Sequence, residues 1–531
     1  MHAQTAVRAS TPAAAHTLYD DVYYPGHVYE HTHPNQLATL AKLYGMTPVP
    51  IERCRVLELG CGVGGNLLPM ACQYPDSTFV GVDLSGVTIE RGKCNVAALG
   101  LSNIQLLHRD IMDVDPNFGQ FDYIIAHGVY SWVPPEVRRK MMTIFKQNLS
   151  PNGVCYVSYN AHPFSHLRDL SRDMMLFHTR HLSGMKEKTA QARAIMKFLS
   201  DGSKADSVHG AIMRDQYNRV SKMPEEVLFH DDLNDIATAF LLHQVVEDAA
   251  PHGLQYLSDA DFSRRSIATY SEEVRATLQR FPDSEFMARD QYQDFIDGNG
   301  FRRTLLCHDN ITLNRKIEMD FVKQFYLLST TEPVEATWSL TDDSPLGFET
   351  QSGSSLTVSK PLLKAAYYAL GKAWPQALSF TELLERSRDL LGGSTPVSDN
   401  DVQTLVEAMH ILACSGEVSF RINRPFVMKA ISDRPEASPL ARKQSESGTL
   451  VTNVLHQAVR LKDDRTRSFL QLLDGTRTVA QIIAEMTRLF GETAEVEEDE
   501  APPPGGTPVL STSDGVERSL KVVSKLGLLV G

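Results

Sequence analysis

At 531 residues the chain is too long for one domain and, at roughly 100 to 200 residues per domain, holds three or four. A net charge of −13, from 52 Lys/Arg against 65 Asp/Glu, argues against a nucleic-acid or anionic-membrane binder, which needs surplus cations. No apolar run approaches the roughly 18 residues of a membrane span, so no membrane insertion is expected. Seven cysteines, an odd number with no CxxC pair, read as reduced thiols of a cytoplasmic protein. The first 18 residues lack an apolar h-region and read as a flexible tail rather than a signal peptide.

A polar loop with Tyr19, Tyr23, Tyr24 and Tyr29 comes first, then His33-Pro34 and helical spacing at Leu37, Leu40, Ala41, Leu43 and Tyr44. His27, His31 and His33 have no carboxylate or cysteine nearby at ligand spacing, so no metal is expected. RVLELGCGVGGN (55–66) then gives an apolar strand, a turn and a helix start. Glycines suit such a turn because it needs unusual φ/ψ and lets a ligand lie against backbone N–H groups. Gly60, Gly62 and Gly65 also satisfy G-x-G-x-x-G, so the glycines alone choose no cofactor. Glu58 does the choosing. A nicotinamide-binding strand is usually apolar there, whereas S-adenosylmethionine brings an α-ammonium, and E-x-G-x-G-x-G is the first motif of class I methyltransferases.

The strand Thr78 to Val82 ends in Asp83, placed to accept from ribose hydroxyls. IQLLHRDI ends in Asp110 and Ile111, an acid and an aliphatic chain suited to adenine. FDYIIAHGVYSWV carries His127, Tyr130 and Trp132 at its exit, where the methyl would be presented. GVCYVSYN is a fifth strand, ending in Tyr159 and Asn160. Strands alternating with helices indicate an α/β, doubly wound parallel sheet with ligands at the strands' carboxyl ends. The expected cofactor-binding residues are Tyr24, His33, Glu58, Gly60, Cys61, Gly62, Asn66, Asp83, Leu84, Asp110, Ile111 and His127. Those expected at the acceptor are His127, Tyr130, Trp132 and Asn160, with His127 or His162 as proton acceptor and an N-terminal tyrosine over the sulfonium.

Helical spacing from Leu167 to Leu199 predicts a lid inserted over 161–225, and Leu254 to Leu257 and Arg302 to His308 predict strands six and seven, an antiparallel pair. Here the chain resembles bacterial class I methyltransferases with a methyltransferase regulatory domain, among them the lysine methyltransferases of rickettsial outer-membrane proteins. The resemblance rests on YDDVYYPG, HTHP, ELGCGVGGN, HGVYSWVP, SYNAHP, LFHDDL, HGLQYL and FRRTLLCHD, and less sharply on LDGTR. It implies a Rossmann-like seven-stranded fold, S-adenosylmethionine as donor and a protein lysine as acceptor. The expected core is 19–160, with the rest of the catalytic domain over 226–314.

Residues 315–359 read as a linker with short strands. Three helices and a turn over 360–430 predict a winged-helix-like domain. Seven Lys/Arg balance seven Asp/Glu from Lys360 to Arg424, which favours protein docking or homodimerisation over nucleic acid. In 431–531 a polar linker precedes one helical piece, Thr466 to Phe490, an acidic Pro/Gly-rich run near 491–514 expected to be disordered, and a short last helix. Two other functions fit these residues: a small-molecule methyltransferase, and a silent nucleoside-binding regulatory protein.

Overall fold

A computed structural model of the chain describes residues 20, 22, 24, 26–350, 353–393, 398–428, 431–491 and 513–531. The expected tail, Tyr19, Tyr23 and most of the acidic run lie outside the described residues.

Seven strands make the central sheet: β1 Arg55–Leu59, β2 Thr78–Asp83, β3 Ile104–His108, β4 Phe121–Ala126, β5 Leu149–Ala161, β6 Leu254–Asp259 and β7 Phe301–His308. Their order is β3-β2-β1-β4-β5-β7-β6, with a two-residue strand, Ala239–Phe240, also pairing with β5. β1 to β5 run parallel, while β7 lies antiparallel to both β5 and β6. The closing antiparallel pair predicted from the sequence is therefore present. Side chains alternate across the sheet, as a period of two requires. Val56, Phe79, Tyr123 and Ile125 join one core, and Leu57, Val80, Ile124 and Ala126 the other. Both faces are covered, which is why these strands read as continuous apolar runs.

Helix α1, Pro34–Leu43, lies against the first core, with Pro34 at its first position and His33 as its cap. α2 (Leu67–Gln73) and α3 (Gly86–Ala98) follow β1 and β2, and α4 (Pro135–Gln147) covers the second face through Met141, Met142, Ile144 and Phe145.

The lid is a three-helix unit, α5 Ser165–Thr179, α6 Met185–Gly202 and α7 Val208–Lys222, with its own core of Met175, Ala192, Met196, Met213 and Val220. Asp232, fully buried just beyond α7, ties it together. Its Oδ1 lies 3.0 Å from both Arg168 Nε on α5 and Arg219 Nη2 on α7. Burial alone would raise this carboxyl, but the two guanidiniums win and hold it below its usual range. Helix α8, Leu242–Ala249, then leads to β6, and α9, Phe286–Asp297, to β7. A buried pair, Arg302 Nε to Asp294 Oδ2 at 2.8 Å, fixes α9 to β7.

The segment expected to be a linker folds onto the catalytic domain. β8 (Tyr326–Leu328) pairs with Leu378–Ser379 and with β9 (Ser419–Arg421), around helices α10 Pro361–Ala373, α11 Phe380–Leu390 and α12 Asp399–Ser415. Its core runs without a break into the first face of the sheet: Phe262 meets Phe420 edge-on at 4.9 Å.

Beyond it stands a last unit with a separate core: α13 Pro439–Ser447, the hairpin β10 Leu450–Thr452 and β11 Ala458–Arg460, α14 Asp464–Leu472, α15 Val479–Phe490 and α16 Ser513–Lys525. Two expectations are corrected here. The single helical piece Thr466 to Phe490 is two helices, broken where Gly475 takes φ +77° and Asp474 accepts the Thr476 N–H at 2.9 Å. The polar linker before it contains α13 and the hairpin. Few of their side chains, among them Leu440, Ala441, Val451 and Leu461, are buried, so their apolar pattern was too sparse to see.

Candidate active site

The carboxyl ends of β1, β2 and β4 meet at the glycine turn. Gly60 takes φ +73° because the chain reverses there, and a Cβ would sit 2.5 Å from Val129 Cγ2. Gly62, at φ +54°, is different: a Cβ there would meet none of the described residues within 4 Å, so among them the turn opens onto space. Asp83 closes the turn from beneath. Its Oδ2 accepts the Gly62 N–H at 2.8 Å and its Oδ1 the Ser85 N–H at 2.9 Å. Burial raises this carboxyl, and the two N–H groups partly offset that. Cys61 is buried, its thiol pushed well above the usual range by burial, then by Asp83 and Glu58.

Glu58 is buried in the same place. Its Oε1 accepts from Asn66 Nδ2 at 2.9 Å, while its Oε2 has no partner among the described residues. Burial pushes the carboxyl up to about 8, with the Asn66 hydrogen bond opposing and the Asp83 charge adding. A buried carboxylate with one unsatisfied oxygen, beside an open glycine turn, fits a nucleoside ligand that carries a cation. On the nucleoside side, Asp110 caps a short turn by accepting the Met112 N–H at 2.9 Å, and Ile111 is half-buried. Leu84 is 39% and Met112 42% exposed, so apolar side chains stand uncovered at the ends of β2 and β3.

The N-terminal segment folds over the turn. Asp20 accepts from Ser85 Oγ at 2.6 Å, and the Val22 carbonyl lies 2.9 Å from His230 Nε2. Tyr24 meets His230 edge-on at 5.6 Å. Tyr29 stacks on His127 with ring centres 3.6 Å apart, and its N–H donates to Asn66 Oδ1 at 3.1 Å. His127 Nδ1 lies 2.9 Å from the Tyr156 hydroxyl, and burial followed by the Arg303 and His31 charges pushes its pKa down to about 3. So weak a base is poorly matched to an ammonium, which counts against His127 as proton acceptor.

The residues expected at the acceptor divide. Arg168, from the lid, places its guanidinium 5.3 Å from the Trp132 ring centre and donates to Asn160 Oδ1 at 3.2 Å, so the lid, Trp132 and Asn160 come together. Tyr130 does not join them. It is fully buried in the core beneath α4, where its hydroxyl donates to Asp248 Oδ2 at 2.7 Å and its ring packs on Phe240. Tyr159 is likewise buried against Phe240, with its hydroxyl 2.8 Å from Thr304 Oγ1. His33 is also corrected: its Nδ1 accepts the Asn35 N–H at 3.1 Å, so the imidazole caps α1, with its ring facing Tyr74 and His456. His162, His166 and Asp169 bring potential metal-ligating atoms within 4.8 Å among the described residues. The two imidazoles stack 3.9 Å apart at 17°, and near-parallel planes so spaced cannot both contain one ion.

Two residues of the site went unread in the sequence. Asp231, in the LFHDDL segment, lines a cavity under the lid with Phe164, Arg168 and Arg219, and burial pushes its carboxyl up to about 6. His456, from the hairpin 390 positions away, reaches Asn66 Oδ1 with its Nε2 at 2.8 Å. The doubled acid of Asp231-Asp232 beside a histidine was a usable signal; His456 had none short of the fold.

The raised Glu58 pKa has a sign. The ligand-free fold keeps the carboxyl's full contribution below its unfolded value near 4.5 and loses it as pH rises through about 8. We expect Glu58→Gln to flatten the fall in ligand-free thermal stability between pH 5 and 8, by a few kcal/mol; an unchanged slope in a pH series of melting curves would contradict the assigned burial.

Three family models match: "Methyltransferase domain" over residues 56–153, "Predicted methyltransferase regulatory domain" over 224–308, and "PKMT, C-terminal winged helix domain" over 433–509. The last falls on the final unit, beyond the 360–430 stretch where a winged helix was expected. The uncharacterised protein RP789 of Rickettsia prowazekii is 33% identical over 464 residues, 86% of this chain and 83% of that one. The structure of PKMT2 from Rickettsia typhi superimposes with a TM-score of 0.86 at 29% identity, covering 96% of this chain and 100% of that one, and is also known in complex with AdoHcy. The chain belongs to the bacterial class I S-adenosylmethionine-dependent methyltransferases that carry the methyltransferase regulatory domain and the PKMT winged-helix domain.

Proposed function

We propose that this methyltransferase N-methylates lysine side chains of a protein substrate. The likeness to PKMT2 carries the reading, because it extends over the lid and both C-terminal units and not only over the cofactor-binding sheet. S-adenosylmethionine, when bound, supplies a sulfonium methyl for in-line transfer to a nucleophile.

The chain's own residues bind, orient and exclude water. Glu58 Oε2 would take the α-ammonium, the backbone of Gly60, Cys61 and Gly62 the methionine portion, and Asp83 the ribose hydroxyls. Asp110, Ile111 and the uncovered Leu84 would hold the adenine. Tyr29 has one ring face stacked on His127 and would offer the other to the sulfonium.

A lysine acceptor must lose its proton. With a free pKa near 10.4, roughly one amine in 2,500 is neutral at pH 7. Asp231 is better suited than His127 to receive that proton, since burial leaves its carboxyl titrating nearer neutrality. Trp132 and Asn160, gathered by Arg168, would form the floor on which the amine is desolvated.

Incubating the full chain with radiolabelled S-adenosylmethionine and a cell lysate tests the acceptor. We expect label in acid-stable protein bands that map to lysine. Label confined to small molecules would overturn this reading in favour of small-molecule methylation. Against a protein acceptor so identified, Asp231→Asn is expected to lower kcat by roughly a hundredfold while leaving S-adenosylhomocysteine affinity within about threefold; unchanged kcat would remove Asp231 from the proton path.

A further inference from the structure

Asn66 is the junction of the cofactor site. Its amide atoms are identified from two sides: the Tyr29 backbone N–H can only donate, so the atom it meets is Oδ1, and Nδ2 then faces Glu58 Oε1. Thr32 Oγ1 lies 3.1 Å from Oδ1 and 3.0 Å from Nδ2, and Oδ1 has its shortest contact, 2.8 Å, with His456 Nε2, which must therefore be the donor. The bonds form a directed chain from His456 Nε2–H to Asn66 Oδ1, and from Asn66 Nδ2–H to Glu58 Oε1. That chain commits Oε1 and leaves Oε2, which has no partner among the described residues, for a cation.

His456 is held in place at a cost. It is buried and takes φ +62°, the only positive φ among the described non-glycine residues. For such a residue the left-handed conformation is strained and persists only where surrounding contacts impose it. The hairpin loop supplies those contacts. Asn453 Oδ1 accepts the Leu455 and Gln457 N–H groups at 3.0 and 2.9 Å, and its Nδ2 donates to the Leu526 carbonyl at 3.0 Å. From the catalytic domain, Gln73 donates to the Val454 carbonyl at 3.1 Å, and Gln457 donates to Glu30 Oε2 at 3.2 Å. Glu30 Oε1 is in turn paired with Arg421 at 2.7 Å, so three parts of the chain converge on the loop.

We propose that the C-terminal unit completes the methyl-donor site: its hairpin delivers the His456 Nε2–H that fixes Asn66, and through Asn66 orients Glu58 for the donor's α-ammonium. His456 is a positioning residue acting through Asn66. Donor binding and docking of the C-terminal unit are thereby linked, and by reciprocity each strengthens the other by the same factor. The inference rests on the cofactor site and not on the acceptor, so a small-molecule acceptor in the labelling experiment would leave it standing.

The test is a double-mutant cycle on the full chain, read as S-adenosylhomocysteine Kd by calorimetry. His456→Gly suits the backbone, since glycine accepts φ +62° without strain. We expect it to weaken binding about tenfold, close to 1.4 kcal/mol, and to have no further effect once Asn66→Ala is present. Affinity within twofold of the parent, or the same tenfold loss in both backgrounds, would overturn the proposal, because a merely structural role would not depend on Asn66. Hydrogen exchange reads the link from the other side without altering His456. Saturating S-adenosylhomocysteine is expected to slow exchange of the amides of residues 450–460 about tenfold in the parent chain and not in Asn66→Ala. Unchanged protection in the parent would overturn it.

Discussion

A single buried carboxylate sets the terms for this molecule. Glu58 is out of water, with one oxygen satisfied by Asn66 and the other by nothing among the described residues. Such a group is costly in the ligand-free fold, and only a cation repays that cost by restoring the charge. The stored asymmetry explains why so much of the chain is arranged around the end of β1. The glycine turn leaves room, Asp83 braces it from below, and the N-terminal segment closes over the top. A hairpin nearly four hundred positions away reaches in to fix Asn66.

The lid is anchored by Asp232 between two arginines, and one of them, Arg168, also touches Trp132 and Asn160. The side chain that anchors the lid thus also holds Trp132 and Asn160, so the lid and the end of β5 cannot shift independently. On the opposite flank, the segment after β7 shares its core with the sheet and does not hang from a linker. A final unit with its own core follows, and its hairpin loop reaches Asn66 through His456.

The sheet was legible in the sequence because each strand is short, apolar and bounded by a chemistry-bearing residue: Glu58 and the glycines, Asp83, Asp110, His127, Asn160. Both buried faces left their mark, and the closing antiparallel pair was read from Leu254 to Leu257 and Arg302 to His308, whereas the strand order comes from the fold. Side-chain direction was harder to read. Tyr130 and Trp132 stand two apart after β4, yet one turns into the core toward Asp248 and the other outward to Arg168, a choice made by α8 and the lid rather than by local sequence. His33 was expected among the cofactor contacts, but at a helix start its Nδ1 is taken up by capping. The hairpin carrying His456 was invisible because its apolar pattern is thin and its function depends on contacts with residues 30, 66 and 73. No local pattern encodes such contacts.

If Glu58 meets the donor's ammonium, it does so with a carboxyl that burial has raised to about 8. Calorimetry of S-adenosylhomocysteine binding at pH 7, in buffers of different ionisation enthalpy, measures this directly. The account predicts release of close to one proton per molecule bound, since a carboxyl largely protonated in the free protein must ionise in the complex. It also predicts that Glu58→Gln abolishes that release. Binding of the parent chain without proton release would contradict it.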